Sequence, residues 1–158
     1  MKGKSMRQET ATRYDDPAVD VLRSAREAKF EYKRLNLRVE ELESRAERMT
    51  SSMSGMPGGG GAGMEQLWAT LADEREKLAA ASEKELRNYG EAERLIKKLN
   101  DPTHRIILRL RYLSGMNWTQ VHFRMHREGF CYTERHITRL HGEALKAVRR
   151  LWKEEHDA

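Results

Sequence analysis

Cysteine appears once in the 158 residues, at Cys131, so no internal disulfide can form, and the count agrees with a reducing compartment. Aromatic residues make up only 7% and apolar residues 38%, against 35% charged. With a mean hydropathy of -0.87, the chain is too polar for one thick globular core. It suits long solvated helices whose narrow apolar seams face one another. Long hydrophobic runs are missing too. No window approaches the length a membrane span needs, and residues 1–16 lack the apolar stretch of a signal peptide. An intracellular protein with no membrane partner is expected.

Excess charge is missing from the front of the chain and concentrated at the back. Residues 1–101 hold 19 Lys+Arg and 19 Asp+Glu, whereas residues 102–158 hold 11 and 6. The net charge of +5 therefore belongs to the last third, which also holds all six histidines. A neutral scaffold joined to a polyanion-binding module has this distribution. Charge alone fits RNA, DNA or an acidic protein.

Residues 1–15 read as a flexible tail, polar and without periodicity. Asp16-Pro17 then provides a cap and a proline at the first helical position. Behind it Val21, Ala25, Ala28, Tyr32, Leu35, Val39, Leu42, Ala46 and Met49 alternate steps of four and three, a heptad seam. The helix is expected to stop near Thr50, because residues 50–64 are rich in glycine and serine and lack the Gly-Lys-Ser/Thr of a phosphate loop. A second helix is expected from about Glu65 to Leu99, with a looser seam of Leu67, Leu71, Leu78, Leu86, Tyr89, Ala92, Ile96 and Leu99. Gly90 within it suggests a close contact or a bend. Residues 16–99 thus form a helical hairpin folded through the glycine-rich linker. Pairing of two chains into a homodimer through the coiled coil would bury the same seams, and the sequence leaves both open.

From residue 100 to residue 158 the pattern changes. Asn100-Asp101-Pro102 starts a helix carrying Ile106, Ile107, Leu110 and Leu113, which Ser114-Gly115 ends. Asn117 caps a short helix with Trp118, Val121 and Met125, broken by Arg127-Glu128-Gly129. Thr133 caps a last helix with Ile137, Leu140, Ala144, Val148 and Leu151 inward. Short helix, turn and longer basic helix make a helix-turn-helix, and the fold class expected is all-α. At 100° per residue, the face opposite the inward stripe holds Arg135, Thr138, Arg139, Gly142, Lys146 and Arg149. Arginine reads guanine edges and phosphates, and threonine can touch a thymine methyl. Gly142 lets a backbone come close, and Glu134 at the flank can accept from a cytosine amino group. Thr133, at the helix start, completes the expected DNA-binding set.

Leu99-Asn-Asp-Pro102, Leu110-Arg-Tyr-Leu113, Gly115-Met-Asn-Trp118 and the run from Glu134 to Leu145 together resemble small bacteriophage transcription regulators of the ArpU and RinA type, over roughly residues 96–152. Their helix-turn-helix is similar to sigma factor region 4, and Gly142-Glu-Ala-Leu145 sits where that region carries an Ala-x-Ala-Leu-like signature. One departure is the seven residues from His126 to Tyr132, longer than the family's usual turn. They require either a longer second helix or an insertion with Phe130 and Tyr132 tucked inward.

Other chemistry is weaker. His122, His126, Cys131 and His136 could approach a zinc site, but there is no second cysteine and the spacings match no usual finger. No cofactor is expected, and metal binding by these four stays open. Cys131 has no third group to orient a nucleophile pair, and the paired carboxylates lie on solvated faces, so no enzyme is expected. The expectation is a sequence-specific binder of double-stranded DNA, a phage or prophage transcription regulator in the bacterial host cytoplasm. Host RNA polymerase is a further partner that such a regulator would touch. The alternative is the DNA-recognition subunit of a packaging motor, a small terminase, although those carry their DNA-binding part first. An adaptor for an acidic protein is a third option.

Overall fold

A computed structural model describes residues 16–53 and 61–157, and every regular element among them is helical. Helix α1 spans Pro17–Met53 and α2 spans Gly61–Lys97. Helix α3, Pro102–Leu108, continues into a π-helical turn, Arg109–Leu113. Helices α4, Trp118–Arg127, and α5, Glu134–His156, complete the chain. No helix among the described residues is long and apolar enough to cross a membrane. The expected tail, residues 1–15, and the middle of the glycine-rich linker lie outside the described residues.

Helix α1 begins as its sequence dictates, with the Asp16 carboxylate accepting from the amide of Ala18 at 3.1 Å. Its seam is buried at Ala25, Ala28, Leu35, Val39, Leu42 and Ala46. It runs beyond Thr50 to Met53, and α2 starts at Gly61, four residues before the expected Glu65. Met64 packs against the Val39, Leu42 and Leu71 cluster, so tertiary burial carries the helix back into the glycine-rich stretch.

The seam of α2 corrects the expected one. Leu86 is 70% and Tyr89 41% exposed. The inward positions are Leu67, Leu71, Glu74, Leu78, Ala81, Glu85, Asn88, Ala92, Leu95 and, just past the helix, Leu99, again in steps of four and three and all buried or half-buried, with the expected Ile96 fully buried beside them. Polar side chains at three of these positions hide the heptad from an apolar-only reading. Asn88 shows how one is accommodated, its amide donating to the Ser24 carbonyl at 3.2 Å. Gly90 makes no close contact either, since a Cβ there would meet nothing within 4 Å.

The described residues belong to two compact units. One comprises residues 28–86, where α1 and α2 run antiparallel, as ion pairs Glu31–Lys84 at 3.8 Å and Glu43–Arg75 at 2.9 Å require. Its core joins Val39, Leu42 and Ala46 to Leu67 and Leu71. The two seams thus meet within a single chain.

The other unit comprises residues up to Glu27 and from Arg87 onward, so residue 100 falls inside it. Ala18, Leu22 and Ala25 of α1, Ala92, Leu95 and Ile96 of α2 and Leu99 just beyond it share one core with Leu108, Tyr112, Leu113, Ala144 and Val148. Burying Leu22, Leu95 and Ile96 completely contributes about 2 kcal/mol each. Around this core Arg109 pairs with Glu93 at 2.6 Å, Asp16 pairs with Arg149, and Glu155 takes Lys98 and Arg94. The Lys98 hydrogen bond, with the charges of Lys98 and Arg94, holds the Glu155 carboxyl below its ordinary range.

Candidate nucleic-acid interface

A second core in this unit holds α4 against α5. Ile107, Val121, Met125 and Ile137 are buried together, with Leu110, Trp118, Phe130, Tyr132 and Leu140 packed around them. Asn117 starts α4 in a reciprocal cap, accepting from the Gln120 amide at 2.8 Å while Gln120 accepts from the Asn117 amide at 3.0 Å. The departure noted in the turn resolves both ways. Helix α4 continues to Arg127, Gly129 reverses the chain at φ 98°, and Phe130 and Tyr132 fold inward onto the core. Thr133 then caps α5, its hydroxyl accepting from the His136 amide at 3.1 Å.

The angle between α4 and α5 is braced by an aromatic and polar cluster. The Tyr112 hydroxyl and His141 Nε2 share a hydrogen bond of 3.0 Å, and Trp118 meets the same ring edge-on at 4.6 Å. Arg111 lies over Trp118, 4.7 Å from its centroid, and donates to the Met116 carbonyl at 3.0 Å. Burial, with the Arg111 charge second, pushes the His141 ring down to about 4 from an ordinary 6.5. Burial also raises the Tyr112 phenol, so at neutral pH a protonated hydroxyl meets a neutral imidazole.

Helix α5 turns Ile137, Ala144 and Val148 fully inward. Opposite them Glu134, Arg135, Thr138, Arg139, Lys146 and Arg149 are exposed, as is Thr133 at the cap, while Gly142 is half-buried with room for a Cβ. These positions differ in how they are held. Thr138 returns its hydroxyl to the Glu134 carbonyl at 3.0 Å, and Arg139 donates to His136 Nδ1 at 2.9 Å. Arg149 pairs with Asp16, which ties it to the start of α1. The face also continues past Arg149. Lys153, seven residues beyond Lys146, lies directly in line with it, and exposed Arg150 lies beside them. Extending the 100° projection by one turn finds both.

Two of the four residues considered for zinc serve other contacts. His122 Nε2 donates to the Tyr132 carbonyl at 2.9 Å, His136 meets the Tyr132 ring edge-on, and Cys131 is exposed. Among the described residues no three His, Cys, Asp or Glu side chains gather into a metal site. Comparisons with family models, with curated proteins and with solved structures give no match.

Proposed function

We propose that this chain is a sequence-specific double-stranded DNA-binding protein that regulates transcription in a bacteriophage or prophage, with α5 as its recognition helix. The observation that carries this reading is the outward face of α5. From Arg135 to Lys153 it presents Arg135, Arg139, Lys146, Arg150 and Lys153 around a side-chain-free Gly142, opposite a stripe buried in the core. A helix of this kind fits the major groove, where arginine takes guanine edges bidentately and lysine takes phosphates as a point charge. The capped α4, the inward turn and the Trp118–His141 brace support it by fixing one presentation of that helix. The resemblance to ArpU-type and RinA-type regulators and to sigma factor region 4 adds the regulatory role, host RNA polymerase as a second partner and the bacterial cytoplasm as location. Chromatin pulldown from a host carrying the element tests the reading. One sharp peak upstream of a late operon is expected; binding spread evenly over the genome, or a peak at a packaging start, would overturn the regulatory role.

A further inference from the structure

The flank of the α5 face holds one carboxylate between two possible partners. Glu143 Oε1 lies 4.0 Å from Arg139 Nε, and its Oε2 lies 3.8 Å from His104 Nε2. His104 is largely enclosed, its side chain 13% exposed, and its Nε2 is buried with no hydrogen-bond partner. Asp101 Oδ2 lies 3.6 Å from the same nitrogen. An enclosed ring nitrogen without a partner is costly, and a proton on it would make it a donor to either carboxylate.

We propose that Glu143 is a built-in competitor for DNA phosphate at Arg139 and that His104 is its alternative partner, so that DNA binding takes up one proton at His104. The inference rests on the DNA reading of α5. A phosphate that captures Arg139 leaves Glu143 beside the polyanion without its cation. Moving that carboxylate onto His104, with a proton taken from solvent to Nε2, neutralises it and gives the enclosed nitrogen a hydrogen bond. Two carboxylates flank the imidazole at short range. Asp101 faces it from the cap of α3 and Glu143 from α5. Lys98, Arg150 and Glu154 line the same cavity of about 300 Å³. Of these Lys98 is occupied by Glu155, and Arg150 and Glu154 oppose each other in sign. Arg105, the neighbour on the same helix, is directed to the Leu99 and Asn100 carbonyls.

The test is DNA affinity of the full chain at constant ionic strength between about pH 6 and about pH 8, the range over which histidine changes charge. The wild type should bind more tightly as pH falls, with the His104 component reaching at most about tenfold per pH unit. His104→Gln and Glu143→Gln should each remove the same component, and the double variant should remove no more. At the alkaline end Glu143→Gln should also bind about two- to fivefold more tightly, the worth of an exposed ion pair. Asp157→Asn, which removes one negative charge outside that cavity, should keep the pH component. The differences among the five chains carry the result. Circular dichroism melting reports whether each variant folds; Glu143 is half exposed, and its variant carries the test if His104→Gln does not fold. A pH component that survives either substitution, or losses that add in the double variant, would overturn the coupling alone. Absence of DNA binding at every pH would overturn the DNA reading and the coupling with it.

Discussion

Acid should loosen the brace between α4 and α5 before it protonates most carboxylates. His141 sits at about 4 in the folded chain against an ordinary 6.5, because burial and Arg111 disfavour its charged form. Between those values the unfolded chain holds a proton that the folded chain does not, so stability is full above about pH 6.5 and falls as the pH drops toward 4. At about 1.4 kcal/mol per unit the gap is worth about 3 kcal/mol. The ring is only half-buried, and solvent screening brings the figure nearer to about 2 kcal/mol. Urea unfolding near pH 7.5 and near pH 4.5 measures the loss, with His141→Gln as the reference. Glutamine can hydrogen-bond the Tyr112 hydroxyl but does not titrate, and the contribution of Glu155 and other carboxylates cancels in the difference. The wild type should lose about 2 kcal/mol more than the variant between the two pH values. Parallel losses in both proteins would refute the burial argument for this ring.

Leu42→Glu should cost about 3–5 kcal/mol by burying an unpaired charge in the core of residues 28–86, read as a lowered melting transition. A fragment from Leu95 to the end should fold poorly, because it lacks the Ala18, Leu22, Ala25 and Ala92 contacts that cover Leu108 and Val148; a short linker in place of 28–86 should leave a folded chain that binds DNA. Gly129→Ala should destabilise by about 1 kcal/mol at its positive φ, whereas Gly90→Ala should stabilise by a similar amount in an exposed helix interior. Gly142→Ala should also stabilise the fold, since the added methyl meets nothing, yet weaken DNA binding if a backbone must approach there.

Helix number, caps and most of the core were legible because each rests on local chemistry. Asp16, Asp101, Asn117 and Thr133 each precede a helix that the apolar spacing already demands. The seam of α2 was not legible in the same way. Glu74, Glu85 and Asn88 occupy its inward positions, so Leu86 and Tyr89, which are exposed, looked like better candidates. Sharing of one core between the ends of the hairpin and α3, the π-helical turn and α5 also escaped, because periodicity says which face is buried but not against what. The basic face of α5 followed from the projection, and Arg150 and Lys153 extend it. What no projection supplies is the partner of each charge. The Asp16–Arg149 pair joins residues 133 positions apart, and the Glu143 carboxylate between Arg139 and His104 depends on where α3 packs.

Base preference in Arg139→Ala and Lys146→Ala, measured on a selected duplex and its scrambled counterpart over a salt series, tests the recognition helix most directly. Arg139→Ala should cost about 1–3 kcal/mol on the selected duplex and relax preference at one base pair. Lys146→Ala should weaken both duplexes alike and reduce the salt slope by about one unit. Equal weakening of both duplexes by Arg139→Ala, with base preference altered by Lys146→Ala instead, would contradict α5 entering the groove by its Arg135 end.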